Sequence, residues 1–206
     1  MTEPRSVKKV PGMGGKVFDY RGTGLCPPNG GRIRPLAFVH HIPVIPNAVG
    51  LADFERLGRD LRAQGLAIQA ATDAEGNVAL FTRLDELCFG HKGANHLACG
   101  AEHMHLSLNE DWTEAQMRAA AWLSNRVLDS FGIPLRRANL LPGDGFFKTK
   151  TEYVVTKPIG IKRRGHTTHK AVSDGIGSHQ RSDPGSKFDF KHLFELTRFF
   201  REHQRF

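Results

Sequence analysis

Between Thr113 and Gly132 the chain reads as one long helix with both of its ends specified, and short extended runs lie on either side. Thr113 with Gln116 three residues later is the pattern of a capping box. Met117, Ala120, Ala121, Ser124, Leu128 and Phe131 fall on one stripe, and Gly132 and Pro134 stop it. A helix with one apolar face has to cover another apolar layer. Pro35 to His40 is a short run of buried-strand type, broken by Pro43, Pro46 and Asn47. Residues 66–72 and 78–82 read as strands around the turn Asp73-Ala-Glu-Gly-Asn77, and another strand runs from Cys99 to Leu108. Leu51, Phe54, Leu57 and Leu61 recur at helical spacing before Gly65, which predicts a helix over 50–64. Residues 146–156 read as an added strand or hairpin, and 159–165 lead into His166. A last helix is predicted over 189–203, with Phe190, Leu193, Thr197 and Phe200 on one side. Strands and helices alternate, so the expected class is α/β, with a central mixed β-sheet flanked by helices.

The apolar fraction of 39% suits a packed core, and no apolar run approaches the roughly 18 residues of a membrane span. Membrane insertion is therefore not expected. A formal charge of +8 favours a polyanionic partner, either nucleic acid or an anionic cell wall. With two Trp and two Tyr, the chain lacks the aromatic-plus-basic runs of a single-strand binder, so no nucleic-acid partner is expected. Cys26, Cys88 and Cys99 form no C-x-x-C pair and read as free buried thiols. Residues 1–30, rich in Gly, Pro, Lys and Arg, read as a basic extended arm, not a separate domain. They lack the apolar stretch of a signal peptide, and the expectation is a protein made and kept in a cytoplasm unless something else lets it out.

Eleven histidines are the more telling count. His40 ends the first buried strand, His166 ends a late one, and Asp183 sits in Ser-Asp-Pro-Gly. Two imidazoles and a carboxylate suit zinc and leave a fourth position open for water. Their spacing matches no local metal motif. Strand alternation points His41 away from His40, so His41 is left outside the set.

Six segments occur in the order of one family: Phe38-Val-His-His41, Gly90-His-Lys-Gly-Ala-Asn95, Cys99-Gly-Ala-Glu102, Trp112 to Gln116, Gly165-His166, and Asp183-Pro-Gly185 with Phe188-Asp-Phe190. Over roughly residues 31–200 the chain resembles the zinc-dependent N-acetylmuramoyl-L-alanine amidases, a family that includes phage endolysins, peptidoglycan recognition proteins and anhydro-muropeptide amidases. The resemblance implies a peptidoglycan recognition protein-like amidase fold, with residues 31–206 as the catalytic domain. It implies zinc on His40, His166 and Asp183, and Glu102 as the acid–base group. Arg181, where the family commonly has a lysine, would stabilise the oxyanion. His91 and Asn95 fall in the segment that lines the substrate cleft of relatives, and are expected to contact substrate. Two departures stand out. Ile68-Gln69-Ala70 lacks the tyrosine common near the second strand. The gap from His166 to Asp183 is longer than usual and contains His169 and His179, either of which could displace a ligand. The implied activity is cleavage of the amide between N-acetylmuramic acid and L-alanine in peptidoglycan. The implied setting is that of a monomeric endolysin, held in the host cytoplasm until a holin opens the membrane.

Overall fold

The computed structural model describes residues 2–43, 51–105, 108–143, 146–148, 153–155, 159–177 and 182–203. Seven strands form one mixed sheet in the order β1-β2-β5-β4-β6-β3-β11. These are β1 (Ser6–Lys9), β2 (Lys16–Asp19), β3 (Ala37–His41), β4 (Ala70–Thr72), β5 (Val78–Leu80), β6 (Ala98–His103) and β11 (Gly165–Thr168). Between them in the chain, β7 (Asn139–Leu141) pairs with β10 (Gly160–Arg163), and β8 (Phe146–Lys148) pairs with β9 (Tyr153–Val155). The helices are α1 (Leu51–Ala63), α2 (Glu114–Phe131), α3 (His169–Gly175) and α4 (Phe190–His203). Among the described residues, no helix is long and apolar enough to cross a membrane.

Strand β3, next to the edge strand β11, is parallel to β6 on one side and to β11 on the other, and all five of its residues are buried. Burial on both faces explains its unbroken apolar run, since a parallel strand sandwiched between helices has no wet side. Towards one face, Phe38, Cys99 and Ala101 pack on Trp122, Leu123 and Val127 of α2. Helix α4 lies beside α2, joined through Met117, Ala121, Leu193, Phe194 and Phe200. Towards the other face, Ala37, Val39 and Ala98 meet Val172 and Ile176 of α3 and its surroundings. The same side carries α1, whose Phe54, Leu57 and Leu61 cover Ala71 and Ala79. The result is three layers, helix on sheet on helix.

Both ends of α2 form as the sequence predicts. Thr113 Oγ1 accepts the Gln116 amide at 3.0 Å, and Gly132 takes the left-handed conformation at φ 61° and returns its N–H to Leu128. The reciprocal half of the capping box is absent among the described contacts: Gln116 Nε2 donates to the Met104 carbonyl at 3.0 Å, tying the helix to the strand it follows. Asp73 carboxylate oxygens accept the amides of Glu75 and Asn77 and the Asn77 side chain, which closes the β4–β5 hairpin. The basic arm supplies β1 and β2, which extend the sheet beyond β5. Lys8 and Lys9 lie exposed on that outer strand, a charge pattern that discourages further strand pairing. At the opposite edge β11 is covered by the chain at 136–138.

The α2/α4 face also carries a buried row of imidazoles. His40 Nδ1 lies 3.0 Å from His103 Nε2, and His40 Nε2 lies 3.1 Å from His166 Nδ1. Thr72 Oγ1 closes the row at 2.8 Å from His103 Nδ1. Phe188, Phe190 and Phe194 pack around it. Burial pushes His103 and His166 down to about 3, so both rings are neutral in the fold. An unfolded chain takes up those protons below about 6.5, whereas the native chain refuses them until about pH 3. Stability should therefore be full above pH 6.5 and fall as the pH drops from there towards 3, by about 1.4 kcal/mol per unit for each histidine. Urea unfolding of metal-free protein between pH 7.5 and 4.5 tests this, with His166→Leu expected to lower the slope by about one proton. A midpoint that stays flat over that range would refute it.

Candidate metal centre

The site lies on the α1/α3 side of the sheet, at the carboxyl end of β3. His41 is the last residue of that strand, and strand alternation sends its ring to the face opposite His40. His169 is the first residue of α3, fixed there because Thr168 caps the helix: its Oγ1 accepts the Ala171 amide at 3.0 Å. Asp183 stands in a tight turn closed by Gly185 N–H donating to Ser182 O at 2.9 Å. Gly185 has φ +80°, and a Cβ there would sit 2.3 Å from the Leu108 carbonyl oxygen, so only glycine fits. The Asp183–Pro184 bond is cis. Two backbone contacts lock the turn to its neighbours. Lys170 N–H, one of the free donors of the first turn of α3, donates to Asp183 O at 3.0 Å. Ile42 N–H, just past β3, donates to Asp183 Oδ2 at 3.4 Å.

These elements bring His41, His169 and Asp183 together as a buried group whose candidate ligand atoms all lie within 4.8 Å of one another. Asp183 Oδ2 is 3.2 Å from His169 Nδ1 and 3.7 Å from His41 Nδ1. Those separations bracket the roughly 3.3 Å between ligands of a tetrahedral zinc ion. His41 Nδ1 is buried and has no hydrogen-bond partner among the described residues. Burial, then the imidazoles of His169 and His91, hold His41 well below the usual histidine range, so it is a neutral donor. An unpartnered imidazole nitrogen and a buried carboxylate oxygen facing one another would suit a cation between them. The residues present therefore fit a zinc ion, which His41, His169 and Asp183 would hold with one position left open. A cleft of about 480 Å³ opens at Asp183, walled by Thr168 and Lys170 on either side of His169, by Ser182 to Ser186, and by Leu108 and Asn109.

Of the residues expected to bind metal, Asp183 lies in the group, while His40 and His166 do not. Both point into the α2/α4 layer, where they bond to each other. The reason is the two-residue period of a strand: His40 shares a face with Phe38, and so does His166, which is Phe38's register partner. The candidate ligand on β3 is thus one residue later, and the candidate after β11 three residues later. The separation of His169 from Asp183 is 14 residues, and the long gap after His166 was the signal for it. Glu102 is in register beside His41 on the neighbouring strand β6 and so shares the metal face. Arg181 and His179 lie outside the described residues.

His91 does not line a substrate cleft. It is fully buried, with Nδ1 2.8 Å from His41 Nε2 and Nε2 3.2 Å from Gln69 Oε1, so both ring nitrogens are occupied within the protein. Asn95 Oδ1 accepts the His91 amide at 2.8 Å, a turn contact that fixes the 91–95 loop. His103 and His105 share packing against Trp112. All three cysteines are free and buried.

No protein-family profile and no curated protein sequence matches the chain. Solved structures do match in fold. An endolysin N-acetylmuramoyl-L-alanine amidase, LysCS from Clostridium intestinale, is 16% identical with a TM-score of 0.54, over 86% of this chain and 90% of that one. The amidase AmpD gives 14% and 0.53, over 82% and 86%. The Drosophila peptidoglycan recognition protein SD gives 11% and 0.53, over 79% and 83%. The chain has the α/β fold that these amidases and recognition proteins share.

Dialysed wild-type protein is expected to retain one zinc per chain, and His41→Ala or His169→Ala to retain none. His166→Leu, altered on the opposite face, keeps its zinc. Elemental analysis of folded protein decides it. Metal lost from His166→Leu and kept by His169→Ala would reverse the assignment.

Proposed function

We propose that this chain is a zinc-dependent N-acetylmuramoyl-L-alanine amidase acting as a phage-type endolysin. The observation that carries the reading is the buried His41–His169–Asp183 group beside an open cleft, on a fold with amidase neighbours. Two imidazole ligands and one carboxylate would leave a bound divalent ion about one unit of positive charge. A zinc ion in such a site supplies Lewis acidity, acidifying water and polarising a carbonyl. The side chains do the rest. Asp183, held by the Ile42 and Lys170 amides, keeps the ligand set rigid at the cleft wall. Glu102, beside His41 in the sheet, takes the proton from the attacking water and returns it to the departing L-alanine amine. Arg181, two residues before Asp183, stabilises the negative charge that develops on the carbonyl oxygen.

The formal charge of +8 supports an anionic wall as the substrate, since it raises the encounter rate with a polyanion. In this reading the protein waits in the host cytoplasm and reaches the wall once a holin has opened the membrane. A second reading, cleavage of small soluble anhydro-muropeptides, draws on Glu102, the acidic residue of that branch of the resemblance. The two differ in substrate size, not in chemistry.

Digestion of purified peptidoglycan, and separately of soluble muropeptides, distinguishes them. The expected products from intact wall are new L-alanine amino termini with free lactyl groups, lost on chelation and regained with zinc. Added salt should weaken wall lysis by screening the charge. Release of new reducing sugar ends would indicate a glycosidase and exclude the amidase. Activity confined to soluble fragments would select the second reading.

A further inference from the structure

Behind His41 runs a chain of hydrogen bonds whose direction can be read from its far end. Gln69 is buried and its amide is oriented by two backbone groups. The Gly100 N–H, which can only donate, lies 2.9 Å from Oε1, and the Glu86 carbonyl, which can only accept, lies 2.9 Å from Nε2. The oxygen of Gln69 therefore faces His91, and His91 Nε2, at 3.2 Å, must carry the proton. That leaves Nδ1 of a neutral His91 bare, so it accepts from His41 Nε2 at 2.8 Å. His41 then has its single proton on Nε2 and its lone pair on Nδ1, the atom that faces Asp183. With both rings neutral, each donor and acceptor role follows from the backbone groups outward.

The packing is arranged around this relay. A Cβ on Gly100 would lie 2.4 Å from Val39 O and 2.6 Å from His91 Cε1, so the glycine leaves the space that the His91 ring occupies. Asn95 Oδ1 holds the His91 backbone from the other side.

We propose that Gln69 and His91 are positioning residues that set the tautomer of His41 and so present a bare Nδ1 to the metal. The proposal rests on the zinc reading above. An orienting partner of this kind typically contributes about 10–100-fold to metal affinity. Without Gln69 Oε1 the His91 ring is free to carry its proton on Nδ1, which then meets His41 Nε2 as a donor and drives the His41 proton towards the metal side.

The test reads the tautomers directly. Two-bond proton–nitrogen correlation spectra of ¹⁵N-histidine-labelled, metal-free wild-type protein should show both His41 and His91 protonated at Nε2. Gln69→Leu should show His41 Nδ1–H signal and bind zinc about 10–100-fold more weakly in competition with a chromogenic chelator. Gln69→Glu, which still offers an acceptor to Gly100 and His91, should recover most of that loss. Wild-type His91 protonated at Nδ1 overturns the proposal, even should Gln69→Leu fail to fold. Unchanged zinc affinity in folded Gln69→Leu also overturns it. A wild-type chain with the expected tautomers that binds no zinc instead defeats the metal reading on which the proposal rests.

Discussion

The parallel pairing of β3 with both β6 and β11 is the constraint on which the site depends. A strand hydrogen-bonded on both edges and covered on both faces cannot rotate about its axis or slip by a residue without inverting its whole apolar set. Phe38 and Val39 pin that register, one into the α2 layer and the other into the α3 layer. The two histidines that follow are committed with them. His40 continues the face of Phe38 and His41 the face of Val39, so adjacent residues of the same type acquire unrelated roles.

On the α2/α4 face the imidazoles act as polar core residues. Their nitrogens bond to one another and to Thr72, which lowers the cost of burying them. On the α3 face the polar groups are also bonded, but the chain of bonds ends at a nitrogen without a partner among the described residues, facing a carboxylate. His166 Nε2 on the first face also lacks a partner among the described residues, but its ring packs against Phe38 and Phe194 and not against a carboxylate group. Both sets are equally buried, so burial does not distinguish them. What distinguishes them is their surroundings: phenylalanine rings enclose His166, whereas His41 and His169 have the Asp183 carboxylate within reach.

The loops that complete the site are held by backbone contacts, which tolerate little adjustment. The Asp183 turn is tied to β3 through Ile42 and to α3 through Lys170, and Gly185 permits its close approach to Leu108. The His91 loop is held by Asn95, and its ring fits because Gly100 has no side chain. A site with its ligands fixed in this way loses little entropy when an ion binds.

Local signals were enough to determine much of the fold. Thr113 and Gly132 mark the ends of α2, Asp73 to Asn77 make the hairpin, and the apolar spacings of α1 and α4 declare their buried faces. These are interactions between residues a few positions apart, and their chemistry is written in the order of the chain. The alternation of strands and helices likewise implied the layered α/β class. It did not reveal that the basic arm would supply two strands, because edge pairing with β5 is a long-range event. The site shows the same division. Residue types and order led to the expectation of His40, His166 at the end of a late strand, and Asp183 as one set, with His169 or His179 as alternatives. Which of His40 and His41 faces Asp183, and whether His166 or His169 joins them, was decided only by the tertiary structure. A strand's period states that neighbours face opposite ways but not which way is which, and that choice was made by helices packing from distant parts of the chain.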